Sequence, residues 1–367
     1  MSLIRTSPGV WSLGTFMLCE EYTGDTPQDA LASWEDSGKN YYLHRREAPL
    51  TTRTPPEGDY DTNRFYDGWE AVSHWEFSPN VFVKSRAWAP GSTLEIDTIR
   101  WIQQTFPQIP VTDAIYGWVD PAWERQFLIT RRMKGEQLGV IWPRLSDPEK
   151  TRIVMQIIDT VKIMATVTSD RLRGIGGGLP HAEFLPKPPP DPNQWFRAPR
   201  VYPEYTAEDF NTALNVWWDK IKENPRTEKF TFFHGDLTPG NVFVEPKEDG
   251  KACLSGLIDF ETSGFYPPWF PLVNFKRTSY ALPTQENWKY EYAYALMKHA
   301  REAGIPEQIK WMEKVEELNG NFPKHWEQHK AEEKAWQKRQ AERRKRRAQG
   351  EIIDIDSVTC NLDDVMC

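Results

Sequence analysis

Residues 234–261 read HGDLTPGNVFVEPKEDGKACLSGLIDFE, and this stretch decides the fold. Two short apolar runs, residues 242–244 and 253–258, flank a Glu-Asp-Gly-Lys turn sequence and are predicted to pair as antiparallel strands. Asn241 stands directly before the first strand, and Asp259 stands directly after the second. The two side chains are therefore expected at the same end of the hairpin.

The residue types at that end suit a bound magnesium ion. Mg²⁺ prefers oxygen ligands and is held by few protein side chains, with substrate phosphates and water completing its shell. Asn241 and Asp259 provide an amide and a carboxylate oxygen, and both are predicted to bind the metal. Asp236, five residues before Asn241 across a Pro-Gly turn, can face the same space as a base or hydroxyl-orienting group. This pattern predicts phosphoryl transfer.

A lysine and a carboxylate upstream complete the predicted site. Residues 70–84 read as two extended runs around the Ser78-Pro79-Asn80 turn, and this hairpin ends at Lys84. A helix follows from about Leu94 to Pro107, and Lys84 and Glu95 are the candidates for the ion pair that would pin the ATP phosphates. Two other roles stay open: Glu95 has capping-box spacing from Ser92, and Asp97 is a second candidate partner for Lys84.

HGDLTPGN together with IDFE resembles the catalytic and metal loops of the aminoglycoside phosphotransferase and choline kinase superfamily, and the surrounding sequence is similar to its fungal branch. The resemblance covers roughly residues 81–278. It implies an α+β, bilobal protein-kinase-like fold with a small β-rich N-lobe and a larger, mainly helical C-lobe, acting with ATP and Mg²⁺ on a hydroxyl of a small molecule. The residue roles that it implies are Asp236 as catalytic base, Asn241 and Asp259 as Mg²⁺ ligands, Lys84 on the ATP phosphates, Glu95 paired with Lys84, and the Arg132-Met133 backbone on adenine.

The expected organisation has four parts. Residues 1–70 form an N-terminal extension with weak periodicity, for which only short helical or extended pieces can be placed, and residues 71–134 form the N-lobe. Residues 135–320 form the C-lobe, in which a helix is expected from residue 147 to about residue 172. Residues 321–367 are predicted to be a charged helix and an acidic tail.

Departures from the protein kinases bear on the acceptor. Their catalytic loop carries an Arg after the His and often a Lys after the Leu, where this chain has Gly235 and Thr238, and no Ala-Pro-Glu motif follows. A small-molecule acceptor is therefore favoured. No glycine-rich loop precedes Lys84, and Ser78-Pro79-Asn80 is the only turn predicted between the strands there. Two alternatives remain: a catalytically weak or inactive kinase-like scaffold, and a Ser/Thr protein kinase.

Composition bounds the remaining functions. A net charge of −8 and a pI near 5.6 argue against an extended nucleic-acid surface. Four dispersed cysteines form no CxxC pair, and no signal peptide or membrane span is predicted, so a cytoplasmic protein is expected. Nuclear import or RNA contact through residues 343–347 stays open, as does the oligomeric state.

Other motifs favour ordinary roles. The glycines at residues 174–178 lack phosphate-loop spacing and indicate a turn, and His325 and His329 indicate a solvated helix face. The aromatic, proline-rich insert at residues 181–205 is either a wall of the acceptor pocket or a surface loop.

Overall fold

A computed structural model describes the chain at residues 3–49, 64–68, 72–88, 90–177, 204–217, 226–246, 251–280 and 288–307. The 181–205 insert apart from its last two residues, both C-terminal histidines, the basic run at 343–347 and the acidic tail lie outside these ranges. No helix in the described ranges is long and apolar enough to span a membrane.

The N-terminal part of the chain forms an antiparallel sheet. Its strands are β1 (Leu3–Ser7), β2 (Val10–Leu13), β3 (Met17–Tyr22), β4 (Ala32–Asp36) and β5 (Lys39–Arg45), in the spatial order β1-β2-β3-β5-β4. The β4–β5 turn places Ser37 at φ 54° and Gly38 at φ 80°, as a tight type I′ hairpin requires. Short strands joined by glycine turns give little periodic signal, which is why the sequence predicted only isolated pieces here.

A second antiparallel sheet forms the N-lobe proper. Its strands are β6 (Arg64–Gly68), β7 (Val72–Ser78), β8 (Val81–Ala87), β9 (Ala114–Asp120) and β10 (Arg125–Arg131), in the order β6-β7-β8-β10-β9, with helix α1 (Glu95–Thr105) between β8 and β9. The predicted hairpin with its turn at residues 78–80 is confirmed. Strand β7 also pairs with β6 on its other side. The sheet thus begins before the predicted boundary at residue 71.

The two sheets share one apolar core. Alternate residues of a strand point to opposite faces, so Val81 and Val83 of β8 face the N-terminal sheet, whereas Lys84 lies on the other face. Phe77 contacts Trp11 and Tyr41 with ring centroids 4.8 and 5.2 Å apart. The core comprises Leu3, Trp11, Leu13, Met17, Cys19, Trp34, Tyr41 and Leu43 from the first sheet and Trp75, Phe77, Val81, Val83, Trp118, Phe127 and Ile129 from the second.

The C-lobe combines helices with short strands. In chain order its elements are β11 (Glu136–Gln137), α2 (Leu138–Ile141), α3 (Asp147–Met164), β12 (Thr168–Ser169), β13 (Arg171–Leu172), β14 (Tyr205–Thr206), α4 (Ala207–Trp217), β15 (Phe230–Phe233), β16 (Val242–Pro246), β17 (Ala252–Leu257), β18 (Gly264–Tyr266), α5 (Phe270–Tyr280) and α6 (Trp288–Glu302). The fold is the α+β, bilobal, kinase-like architecture that the sequence predicted.

Helix α3 is shorter than predicted. It begins where expected, with the Glu149 carboxylate accepting from the Ser146 N–H at 2.9 Å. It ends at Met164 instead of near residue 172, because β12 pairs with β15 and draws the chain away from the helical path. Buried Ile153, Ile157 and Val161 anchor it in the lobe.

Candidate active site

The lysine of β8 lies in a cluster of three carboxylates. Lys84 Nζ is 2.8 Å from Glu95 Oε2, 2.5 Å from Asp259 Oδ1 and 2.6 Å from Glu261 Oε2. The Lys84 side chain is 13 % exposed, and the carboxylate oxygens of the three acidic residues lie within 4.8 Å of one another. The structure thus brings Lys84 and Glu95 together, as the sequence predicted, and adds Asp259 and Glu261 to the pair.

Glu95 joins strand β8 to the metal loop and does not cap its helix. Its Oε1 accepts from the Phe260 N–H at 3.1 Å while Oε2 holds Lys84. The residue at the N-terminus of α1 is Leu94, which makes no side-chain capping bond, so the capping-box interpretation was wrong. Both carboxylate oxygens are already bonded elsewhere.

Two further charged residues at this site were missed from the sequence. Arg86 Nη1 is 3.1 Å from Glu261 Oε2, the oxygen that also contacts Lys84. Arg86 follows Lys84 by two positions, and Glu261 follows Asp259 by two positions. In a strand, this spacing places Arg86 on the same face as Lys84. The alternation of β8 was the signal that could have identified Arg86.

Burial and mutual charge shift the pKa values of the cluster in opposite directions. Burial, followed by the charge of Glu261, raises the pKa of Asp259 to about 7. Burial acts the same way on Glu261, but Arg86 and Lys84 outweigh it and hold the pKa of Glu261 well below its ordinary value. Lys84 also loses solvation by burial, yet the three carboxylates raise its pKa. The ammonium is therefore charged at neutral pH.

Hydrogen bonds fix the catalytic loop from several sides. His234 is fully buried; its Nε2–H donates to the Ile258 carbonyl at 3.0 Å and its Nδ1 accepts from the Asp236 N–H at 3.2 Å. Burial lowers the pKa of His234 to about 4, which fits this neutral, structural arrangement. Asn274 Nδ2 donates to the Gly235 carbonyl at 2.7 Å, and the Tyr292 hydroxyl donates to the Leu237 carbonyl at 3.0 Å.

The loop orients Asp236 and Asn241 toward each other. Asn241 Nδ2 donates to both the backbone carbonyl and Oδ2 of Asp236, each at 3.0 Å. This assigns the amide nitrogen to Asp236 and leaves Asn241 Oδ1 as the atom suited to a cation. The Ile258 N–H donates to the Asn241 carbonyl at 3.1 Å, so Asn241 and Asp259 do lie at the same end of the β16–β17 hairpin.

The residues between the lobes have other contacts than those predicted. The Arg132 N–H donates to the Asn80 carbonyl at 2.8 Å, and its guanidinium bonds Pro79 O and Glu76 Oε1, each at 2.7 Å. The Arg132 N–H is therefore not available to adenine, and the contact of the Arg132-Met133 backbone with adenine stays a prediction through its other backbone atoms. Met133 lies against Gly256, where an added Cβ would collide with its sulfur.

The donor set fits a hard divalent cation. Asp259, 26 % exposed, and Asn241 Oδ1 provide oxygen atoms at one loop junction, and oxygen is what Mg²⁺ selects. When Asp259 is ionised, three carboxylates face the two positive charges of Lys84 and Arg86, which leaves one negative charge for a cation to offset. These residues would hold the metal.

Comparison with known proteins identifies the family. A model of the phosphotransferase enzyme family matches residues 52–305, which include the whole carboxylate cluster and the catalytic loop. The chain belongs to the phosphotransferase enzyme family. An aminoglycoside 3'-phosphotransferase of Acinetobacter baumannii is 20% identical to it over 234 residues, 61% of this chain and 78% of the relative. The predicted superfamily is confirmed.

Solved structures of family members resemble the fold distantly. Aminoglycoside phosphotransferase APH(3'')-Id from Streptomyces rimosus aligns with a TM-score of 0.41 and 16% identity, over 69% of this chain and 90% of that one. A thermostable mutant of APH(4)-Ia in ternary complex with AMP-PNP and hygromycin B also has a TM-score of 0.41, with 13% identity over 68% and 81% of the two chains.

Proposed function

We propose that this phosphotransferase transfers the γ-phosphate of ATP to a hydroxyl group of a small molecule, with Mg²⁺ bound by Asn241 and Asp259. The observation that carries the proposal is that Lys84 contacts Asp259, and that Asp259 and Asn241 lie at the same end of the β16–β17 hairpin. When bound, MgATP supplies the transferable phosphoryl group and the metal charge that offsets the triphosphate.

Each residue of the site has a role that its contacts support. Lys84, charged and held by Glu95, is placed to bind phosphate oxygens. Asp236 accepts the proton of the acceptor hydroxyl or orients that hydroxyl, and Asn241 holds the Asp236 carboxylate in place. Because positioning and charge provide most of the catalysis in phosphoryl transfer, a loop fixed by so many hydrogen bonds suits the reaction.

Two features favour a small acceptor over a protein. Gly235 has φ of +86°, and a Cβ there would collide with the Thr262 carbonyl, so the Arg of protein kinases has no room at this position. Residues 260–269 lead from the metal loop through β18 directly to α5, which leaves no length for a long activation segment.

The first test measures nucleotide binding. ATP with Mg²⁺ should raise the thermal unfolding midpoint of the protein, and Asp259→Ala should lose that rise because the metal loses its carboxylate. Asp159→Ala, which removes an exposed carboxylate from α3, is the matched control and should keep it. Absence of a shift with any nucleotide would favour the scaffold alternative.

The second test separates binding from chemistry. Asp236→Ala should keep the ATP-induced shift but lose turnover by roughly 10²- to 10⁴-fold, the range for a removed general base. Turnover would be followed as ATP consumption against amino alcohols, sugars, aminoglycosides and terpenoid alcohols, with a Ser/Thr-rich protein as a separate arm. Undiminished turnover by Asp236→Ala would overturn the assigned base, and activity only on the protein would overturn the proposed acceptor class.

A further inference from the structure

The Lys84 ammonium lies between three carboxylates, two of which accept hydrogen bonds from it. An ammonium group has three N–H donors, and Lys84 Nζ lies within 2.8 Å of three separate carboxylates, those of Glu95, Asp259 and Glu261. A phosphate oxygen can therefore bind Lys84 only when one of these carboxylates releases it. Which one releases the lysine depends on what else each of them contacts.

The three carboxylates differ in their other partners. Glu95 is 4 % exposed, and its second oxygen holds the Phe260 N–H, so it is fixed between helix and loop. Asp259 is the most exposed of the three. Among the described residues, Glu261 is the one whose carboxylate contacts a second cation, with Arg86 Nη1 3.1 Å away from the oxygen that Lys84 also contacts.

We propose that Arg86 is a positioning residue that retains the Glu261 carboxylate when Lys84 turns from it to the phosphates of a bound nucleotide. The proposal rests on the proposed ATP-dependent function. A partly buried carboxylate that loses its last cation is strongly destabilised, so without Arg86 the Glu261 side chain would keep Lys84 for itself. Arg86 thus acts on nucleotide binding through Glu261 and not by touching the phosphates.

The placement of Arg86 supports an indirect role. Its side chain is 10 % exposed and lies on the same face of β8 as Lys84, two residues further along the strand. Its guanidinium is paired with Glu261, at the position from which it can hold that carboxylate as the lysine leaves.

The experiment is a double-mutant cycle read by nucleotide affinity. Calorimetric titration with ATP and Mg²⁺ should show binding by Arg86→Met that is weaker than that of the wild type by roughly tenfold or more, because Glu261, without its second cation, competes with the phosphates for Lys84. In Arg86→Met/Glu261→Gln, Lys84 has one carboxylate fewer to leave, and affinity should return to within about threefold of Glu261→Gln alone. Arg86→Lys keeps the charge and should bind nearly as well as the wild type.

Steady-state kinetics and a control ion pair at the end of α6 test the same proposal. In Arg86→Met the KM for ATP should rise while kcat at saturating ATP stays close to that of the wild type, because the chemistry itself is untouched. Arg301→Met and Glu307→Gln break a more exposed Arg–Glu ion pair at the end of α6, away from the site, and should leave ATP affinity unchanged. If Arg86→Met does not fold, Arg86→Gln takes its place in the cycle.

Each outcome decides the proposal. Wild-type affinity in Arg86→Met would overturn it. Affinity of the double variant as weak as that of Arg86→Met would also overturn it, since Arg86 would then act independently of Glu261. A wild type that binds no nucleotide would overturn the proposed function as well, whereas the other two results leave that function standing.

Discussion

Gly235 shows how a single residue determines the chemistry next to it. It has φ of +86°, in the left-handed region that suits glycine, and the Thr262 carbonyl fills the space where a Cβ would point. That carbonyl is itself held by the Tyr266 hydroxyl. The loop that carries Asp236 can therefore pass this point only with glycine.

We predict that Gly235→Ala is far more damaging than an alanine at an open glycine. Gly24 has nearly the same backbone, φ +84°, but nothing within 4 Å of its Cβ position, so Gly24→Ala measures the cost of the backbone alone, about 1–2 kcal/mol. Gly235→Ala adds the collision and should lower the thermal unfolding midpoint by several degrees more. Equal midpoints would show that the loop adjusts freely.

At this scale the sequence identified Asp236, Asn241, Asp259, Lys84 and Glu95 as candidates, and the structure places the last three in one cluster. Spacing around a hairpin placed Asn241 and Asp259 at one end of β16–β17, whereas Lys84 and Glu95 came from the resemblance to the kinase pattern. Glu261 and Arg86 were not predicted because the resemblance gave neither of them a role, and their contact across 175 positions of chain is visible only in the structure. The resemblance assigned the Arg132-Met133 backbone to adenine, and no sequence pattern shows that the Arg132 N–H is bonded to the Asn80 carbonyl.

At the scale of elements, a buried carboxylate attaches the N-terminal sheet to the β7–β8 hairpin. Asp36, at the end of β4 and 3 % exposed, accepts from the Asn80 N–H at 3.0 Å and from Asn80 Nδ2 at 2.8 Å. Burial alone would raise the pKa of Asp36, but the nearby Ser78 hydroxyl and the hydrogen bonds from Asn80 outweigh it and lower that pKa. The ionised form is thus the one that the fold stabilises.

The lowered pKa of Asp36 predicts how the stability of the protein depends on pH. A carboxyl group whose pKa is lowered by folding contributes stability above its unfolded pKa, near 4, and loses it as the pH falls through the lower folded value. Asp36→Asn should reduce the free energy of unfolding by about 1–2 kcal/mol at pH 7, and the difference from the wild type should shrink below about pH 4. Urea unfolding at pH 7 and below about pH 4 measures the difference in the free energy of unfolding, and Asp159→Asn on the exposed face of α3 is the control. A difference that does not change with pH would contradict the assignment.

Elements were predicted unevenly, for a physical reason. The β7–β8 and β16–β17 hairpins and α1 carry strong turn signals or long apolar repeats, and all three form. Strands β1 to β5 have four to seven residues each, and they bury aliphatic and aromatic side chains against the N-lobe sheet. These strands are stabilised mainly by packing against the other sheet, so their local sequence gives only a weak strand signal.

At the scale of the whole molecule, the two sheets should unfold together. Phe77 of the N-lobe sheet packs against Trp11, Trp34 and Tyr41 of the N-terminal sheet with ring centroids 4.8 to 5.9 Å apart. Phe77→Ala should cost about 3–5 kcal/mol, the usual loss for a truncated core phenylalanine. Hydrogen exchange followed by mass spectrometry should then show faster exchange in both sheets at once.

A control at the surface sharpens that comparison. Val140, in α2, is 59 % exposed, and Val140→Ala should leave exchange in both sheets unchanged. Faster exchange confined to the N-lobe sheet of Phe77→Ala would mean that the two sheets open independently.

The shared core has a practical consequence for anyone who wishes to produce the catalytic region by itself. A fragment trimmed to the family match would start at residue 52 and would lack all five N-terminal strands. It would present the apolar side chains of Trp75, Phe77 and Val83 to water as one continuous patch, and such patches promote aggregation. If such a fragment were weakly soluble and inactive, the cause would be the missing N-terminal sheet and not a defective active site.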